Sequence, residues 1–164
     1  MHTIYFVYLK HQDLMKEKTI DYILRATWQA VSRMYNEEAA KYGASMSVGF
    51  ALLSIDKENG IPSTALGPQM GMEPTSLTRT LKSMEEKGLI IRKKNPVDGR
   101  GVLIHLTKLG KEKRDLSKDR VLTFNESIKE HIPQDKLDAF IEVAEKINEL
   151  IAERQIFNTD RDSK

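Results

Sequence analysis

At 164 residues with 40% hydrophobic content, the chain can build one domain with a real core, or one compact domain with accessory helices, but not two large catalytic domains. Charged residues make up 30% of it and aromatics 7%, and no run approaches the roughly 18 apolar residues that a spanning helix needs, so a membrane protein is not expected. Cysteine is absent, which removes disulfides, thiolate metal sites and thiol redox sensing together, and the four histidines, His2, His11, His105 and His131, lack ligand spacing.

The net charge of +2 conceals a division along the chain. Residues 79–120 hold 13 Lys/Arg against 6 Asp/Glu, a local charge of +7, which leaves −5 for the rest. Such a run reads either as an ordinary solvated face or as a surface for a polyanion. At the N-terminus "IYFVYLK" is apolar but lacks a basic flank before it and a small-residue cleavage site after it, so no signal peptide is expected and the expected compartment is the cytoplasm.

In chain order, Ile20, Ile23, Leu24, Thr27, Val31 and Met34 recur at helical spacing and predict a long helix from about residue 15 to about residue 41, stopping near Gly43. Ser47 is the expected cap of a second helix carrying Val48, Ala51, Leu52 and Ile55, ended by "ENG" at 58–60. A third, short helix is expected in "STALGPQMG", capped by Ser63 or Thr64. Pro68 lacks the N–H that any turn beyond the first requires, so this helix should start late or distort.

"MEPTSLTRTLKSMEEKGLI" is clearer: Pro74 suits a first helical position, Leu77, Leu81 and Met84 form one stripe, and Gly88 is a natural stop. With that stripe inward, Thr75, Arg79, Lys82 and Ser83 fall near the opposite face, with Ser76 beside them. This composition suits an ordinary polar surface and also a major groove, where arginine donates twice to guanine and small hydroxyls reach bases or phosphates. After Gly88 the period becomes extended, and "LIIRKK" and "VLIHLT", joined by "NPVDGRG", signal a hairpin with a long loop. Thr107 caps an expected helix over about 108–130. Pro133 opens another whose Leu137, Phe140, Ile141, Ala144, Ile147 and Ile151 form an apolar stripe, and "NTDRDSK" is a polar tail.

A short helix, a turn, a polar-faced helix and a β-hairpin follow one another in the order of a winged helix-turn-helix. The chain resembles the MarR-type transcriptional regulators from about residue 20 to about residue 154. "DGRGVLIHLTKLG" fits the family's wing pattern of Asp, any residue, Arg, then an apolar strand ending in Leu-Thr with a glycine three residues on; "TSLTRTLKSMEEKGLI" fits the recognition helix and the entry to the wing. The fold so implied is mainly α with a small β-hairpin wing, a single domain over residues 15–164. Residues 47–107 would form the DNA-binding lobe, and residues 15–41 and 108–154 the dimerisation helices.

The resemblance implies that double-stranded DNA is the partner and that no cofactor is needed. Thr75, Ser76 and Arg79 would contact bases in the major groove, and Thr78, Lys82 and Ser83 would meet phosphates. Arg100 would reach the adjacent minor groove, with Asp98 steadying the wing. A guanidinium gains most in a narrow, electronegative minor groove. Arg92, Lys93, Lys94 and Lys108 would add sequence-independent attraction to phosphates. The flanking helices would build a homodimer, with recognition helices about 34 Å apart on a pseudo-palindromic operator.

Three features depart from the family pattern: the Gly67-Pro68 pair in the supporting helix, Glu73 where a short capping residue is preferred, and the N-terminal extension of residues 1–14. Met15 would be a natural beginning, so the extension reads either as an upstream start or as a segment packed on the dimer. The class commonly responds to small anionic or aromatic effectors; Arg25, Trp28 and Tyr35 could line such a site, or could be packing and surface. The seven methionines read first as core filler. The other class of function kept open is a winged-helix module that binds protein rather than DNA. An enzyme is not expected, for there is no phosphate-binding glycine loop, nucleophile elbow or metal constellation.

Overall fold

The computed structural model describes residues 19–96 and 101–156. The described elements are α1 (Ile20–Ala40), α2 (Met46–Ser54), β1 (Ile61–Pro62), α3 (Ser63–Met70), α4 (Pro74–Glu86), β2 (Ile90–Lys94), β3 (Val102–Leu106), α5 (Lys108–His131) and α6 (Gln134–Ala152). By their packing they fall into two compact units, one up to Ser117 and the other from Lys118, so the division lies within α5.

The core belongs to the first unit. Ala51 and Leu52 of α2 and Ile55 just past it meet Leu66 of α3, Leu77, Leu81 and Met84 of α4, Leu89 before β2, and Ile90, Ile104 and Leu106 of the sheet, all buried. Burying each large side chain fully is worth about 1.5–3 kcal/mol relative to leaving it in water, so this cluster is what holds α4 in place. The α4 stripe is thus the inward face that the spacing of its leucines predicts.

Several boundaries differ from expectation. Ser45, not Ser47, caps α2: its hydroxyl accepts from the Val48 amide at 3.4 Å, while the Asn36 carboxamide oxygen accepts from the Met46 amide at 3.0 Å. Two donors of the first turn are thereby satisfied, one by a residue of α1. The helix ends at Ser54, ahead of "ENG"; there the Asp56 carboxylate accepts from the Asn59 and Glu58 amides, which hold its pKa below the usual carboxylate value.

Pro62, rather than Ser63 or Thr64, holds the N-cap position of α3, and the helix begins at Ser63 and runs through Pro68 to Met70. Gly67 explains part of this sequence. A Cβ there would stand 3.3 Å from Leu77 Cδ2, so a glycine lets α4 pack close against α3.

The expected hairpin is part of a three-stranded antiparallel sheet in the order β1-β3-β2. The two-residue β1 is too short to leave an alternating signal, and it pairs Ile61 with Ile104. In the hairpin Ile90 pairs with Leu106, Arg92 with Ile104 and Lys94 with Val102.

The junction of sheet and α5 rests on two residues. Thr107 Oγ1 donates to the Gly88 carbonyl at 2.6 Å and accepts from the Gly110 amide at 3.0 Å, so the expected cap of α5 is observed. Gly110 is buried against the Leu89 carbonyl oxygen, which would stand only 1.9 Å from a Cβ added there.

In the second unit α5 continues to His131, whose ring nitrogen Nδ1 lies 2.7 Å from the Ser127 carbonyl oxygen, and Pro133 then occupies the N-cap position of α6. No described residue of α6 is buried; Phe140 is 60% exposed and Ile151 58%. In the first unit α1 likewise buries none, and Ile20, Ile23 and Leu24 are exposed.

Gly110→Ala should destabilise the protein by about 2–3 kcal/mol, because the new methyl meets backbone that cannot swing aside. Gly49→Ala is the control: its Cβ would lie 3.5 Å from Ser117 Oγ, an ordinary contact, and alanine in that helix interior should add about 0.5–1 kcal/mol. Urea midpoints of the two variants should therefore move in opposite directions.

Candidate nucleic-acid interface

The face of α4 opposite its buried stripe carries the polar residues that the sequence singles out. Thr75, Ser76, Thr78, Arg79 and Lys82 are exposed and Ser83 is half-buried. Pro74 starts the helix with a preset φ and without an N–H that would go unmet. Among the described residues, Thr75 and Ser76 make no side-chain hydrogen bond and Arg79 makes no ion pair. Thr78 differs: its hydroxyl donates to the Pro74 carbonyl at 2.8 Å, so a phosphate contact requires that proton to turn away. Lys82 lies 3.8 Å from Glu86 one turn on, a loose exposed pair that is worth little.

Glu73 occupies the N-cap position of α4 without a side-chain cap hydrogen bond. The amides of the first turn, which a helix cannot satisfy internally, are therefore left without the acceptor that Ser or Asp would supply.

The cations of β2 differ in their partners. Lys93 and Lys94 are exposed with no ion pair among the described residues, whereas Arg92 Nε donates to Glu85 Oε2 of α4 at 3.0 Å. A groove of about 630 Å3 beside α4 is lined by Thr64, Pro68, Met72, Leu77, Leu81 and Arg92. The base of the loop is closed by the Asn95 amide donating to the Gly101 carbonyl at 2.9 Å. Asp98 and Arg100 of the expected wing tip lie outside the described residues. Lys108 is exposed at the first position of α5.

Of the residues expected to meet an effector, the structure brings two together through a third. Trp28 stacks on Phe50 with ring centroids 6.4 Å apart, and Tyr35 meets the same ring edge-on at 5.8 Å. Burial raises the Tyr35 pKa. Arg25 instead lies over the Tyr22 ring, 5.9 Å from its centroid. Phe50 and Glu85 escaped the sequence reading because nothing in the spacing of either marks its partner on another element.

The fold is shared with known proteins. The family model described as MarR family matches residues 45–102. The organic hydroperoxide resistance transcriptional regulator of Bacillus subtilis (strain 168) is 30% identical over 101 residues, 62% of this chain and 69% of that protein. Among solved structures, MepR of S. aureus in its DNA complex has a TM-score of 0.73 at 15% identity, covering 81% of this chain and 98% of that one. CouR of Rhodococcus jostii RHA1 bound to p-coumaroyl-CoA has a TM-score of 0.67 at 22% identity, with 79% and 91% covered. At these identities the two structures speak for the fold.

Glu73→Ser should raise stability by about 0.5–1 kcal/mol by supplying the missing cap. An unchanged urea midpoint would mean that the first turn of α4 is already satisfied.

Proposed function

Because the chain belongs to the MarR family of transcriptional regulators, we propose that it is a ligand-responsive repressor that binds a pseudo-palindromic operator in double-stranded DNA as a homodimer. The observation that carries this reading is α4, a helix fixed by a buried stripe whose opposite face offers two hydroxyls and an arginine that are unengaged among the described residues. Such a face suits the major groove, where the N-terminal residues of a recognition helix meet base edges.

In this reading Thr75, Ser76 and Arg79 contact bases. Lys82, Ser83, Lys93, Lys94 and Lys108 contact phosphates, and Thr78 does so once its hydroxyl leaves Pro74. Arg100 enters the minor groove with Asp98 bracing it. Arg92, engaged with Glu85, drops out of the phosphate set. The solved DNA complex of MepR, which shares the fold, supports DNA as the partner.

The dimer is supported by the apolar residues that a single chain leaves in water: Ile20 and Ile23 of α1, and Phe140, Ile141, Val143 and Ile151 of α6. Monomeric proteins rarely expose contiguous apolar patches larger than about a few hundred Å2, and a twofold mate would cover these residues. The effector would be a small anionic or aromatic molecule at Trp28 and Tyr35, with Phe50 as their shared support and Arg25 nearby. CouR, whose structure holds p-coumaroyl-CoA, supports ligand responsiveness by its likeness in fold. The signal does not act through a thiol of this chain, which holds no cysteine.

Arg79→Ala should cost about 1–3 kcal/mol of operator binding and relax the preference at one base pair per half-site. A gel-shift series in which that variant ranks operator variants as the wild type does would overturn the base contact. Light scattering at micromolar concentration should give twice the 18.8 kDa mass of the chain, and a monomer would defeat the two-half-site arrangement.

A further inference from the structure

Arg92 stands among the cations of the basic middle, yet its place in β2 sets it on the opposite face of the sheet from Lys93, and its ion pair distinguishes it from Lys94. Residues directly opposite each other on an antiparallel ladder share a face of the sheet. Arg92 lies opposite Ile104, which is completely buried, and two residues beyond the buried Ile90; Lys93 lies opposite Leu103 on the other face. The arginine therefore leaves the strand on the core side, where it lines the groove beside α4, and its Nε meets Glu85 Oε2 at 3.0 Å. Glu85 is in the last turn of α4. The bond crosses from the trailing end of the helix that carries Arg79 to the first strand of the wing.

From this we infer that Arg92 is a positioning residue: it neutralises Glu85 and fixes the angle between the major-groove helix and the wing. Both members are partly exposed, so the pair adds little to global stability. Its effect is on geometry. A guanidinium already matched to a carboxylate displaces few counterions from DNA, so it should leave the salt dependence of binding almost untouched, unlike a lysine that neutralises a phosphate.

The inference rests on the operator-binding reading above. The test takes an operator selected from a pool of random duplexes and measures affinity for it, and for an unrelated duplex, across a salt series. Arg92→Gln should weaken operator binding about five- to tenfold while keeping the wild-type salt slope and the affinity for the unrelated duplex. Lys93→Gln should weaken both and lower the slope by about 1. The double reversal Glu85→Arg with Arg92→Glu should regain most of the operator affinity that each single reversal loses, and equal urea midpoints would separate these effects from folding.

A slope that falls by about 1 in Arg92→Gln would make Arg92 a phosphate contact and overturn the inference. So would an unchanged operator affinity, or a double reversal as weak as the single ones. Failure of the wild type itself to bind DNA would bring down the operator-binding reading, and this inference with it.

Discussion

One hydroxyl joins the elements on which this fold depends. Thr107 donates to the carbonyl of Gly88, where the chain leaves α4, and accepts from the amide of Gly110 in the first turn of α5. Its own amide donates to the Leu89 carbonyl at 3.0 Å, at the entry to β2. The end of β3, the start of β2, the exit of α4 and the beginning of α5 thus share one small cluster, because a threonine hydroxyl can donate and accept at once. Gly110 completes it by leaving room for the Leu89 carbonyl. The Leu-Thr-x-x-Gly spacing has its physical cause here: the threonine caps the helix and the glycine lets that helix reach the sheet.

Much of this lobe was legible because its signals are local. Pro74, the Leu77–Leu81–Met84 spacing and Gly88, which adopts a φ of +66°, define α4 without reference to anything else. What could not be read depends on partners distant in sequence. Ser45 and Ser47 are equally good caps on paper, and an asparagine of α1 reaching the Met46 amide accompanies the choice of the earlier one. β1 is two residues long, and only its pairing with β3 makes it a strand. On propensity alone Gly67 is a defect of α3, and the side chain that explains it, Leu77, lies on another element. The alternation in "LIIRKK" sets Arg92 and Lys93 on opposite faces, but no pattern in the chain announces that Glu85 waits on one of them. Of the candidate site, the exposed face of α4 was readable from its helical period, whereas the wing tip at Asp98 and Arg100 rests on its motif alone.

The junction between α1 and α2 is tied to the same lobe by polar contacts. Asn36 caps α2 while its carboxamide nitrogen holds the Ser32 carbonyl at 2.9 Å, and Lys87, just past α4, donates to the carbonyl of Gly43 at 2.9 Å. Lys87 thus ties the exit of α4 to the loop that joins α1 and α2. Interactions of this kind are weaker and more directional than packing, and they break at defined geometries.

Trp28 is the one tryptophan of the chain; it is half exposed and rests against Phe50 at the seam between α1 and α2. Its indole is the dominant native fluorophore, so the emission of the whole molecule is in effect a local measurement at that seam. Any molecule that covers the ring, or any shift that parts it from Phe50, alters the signal without a label being added. Events confined to α6, which carries no tryptophan, stay dark in the same spectrum.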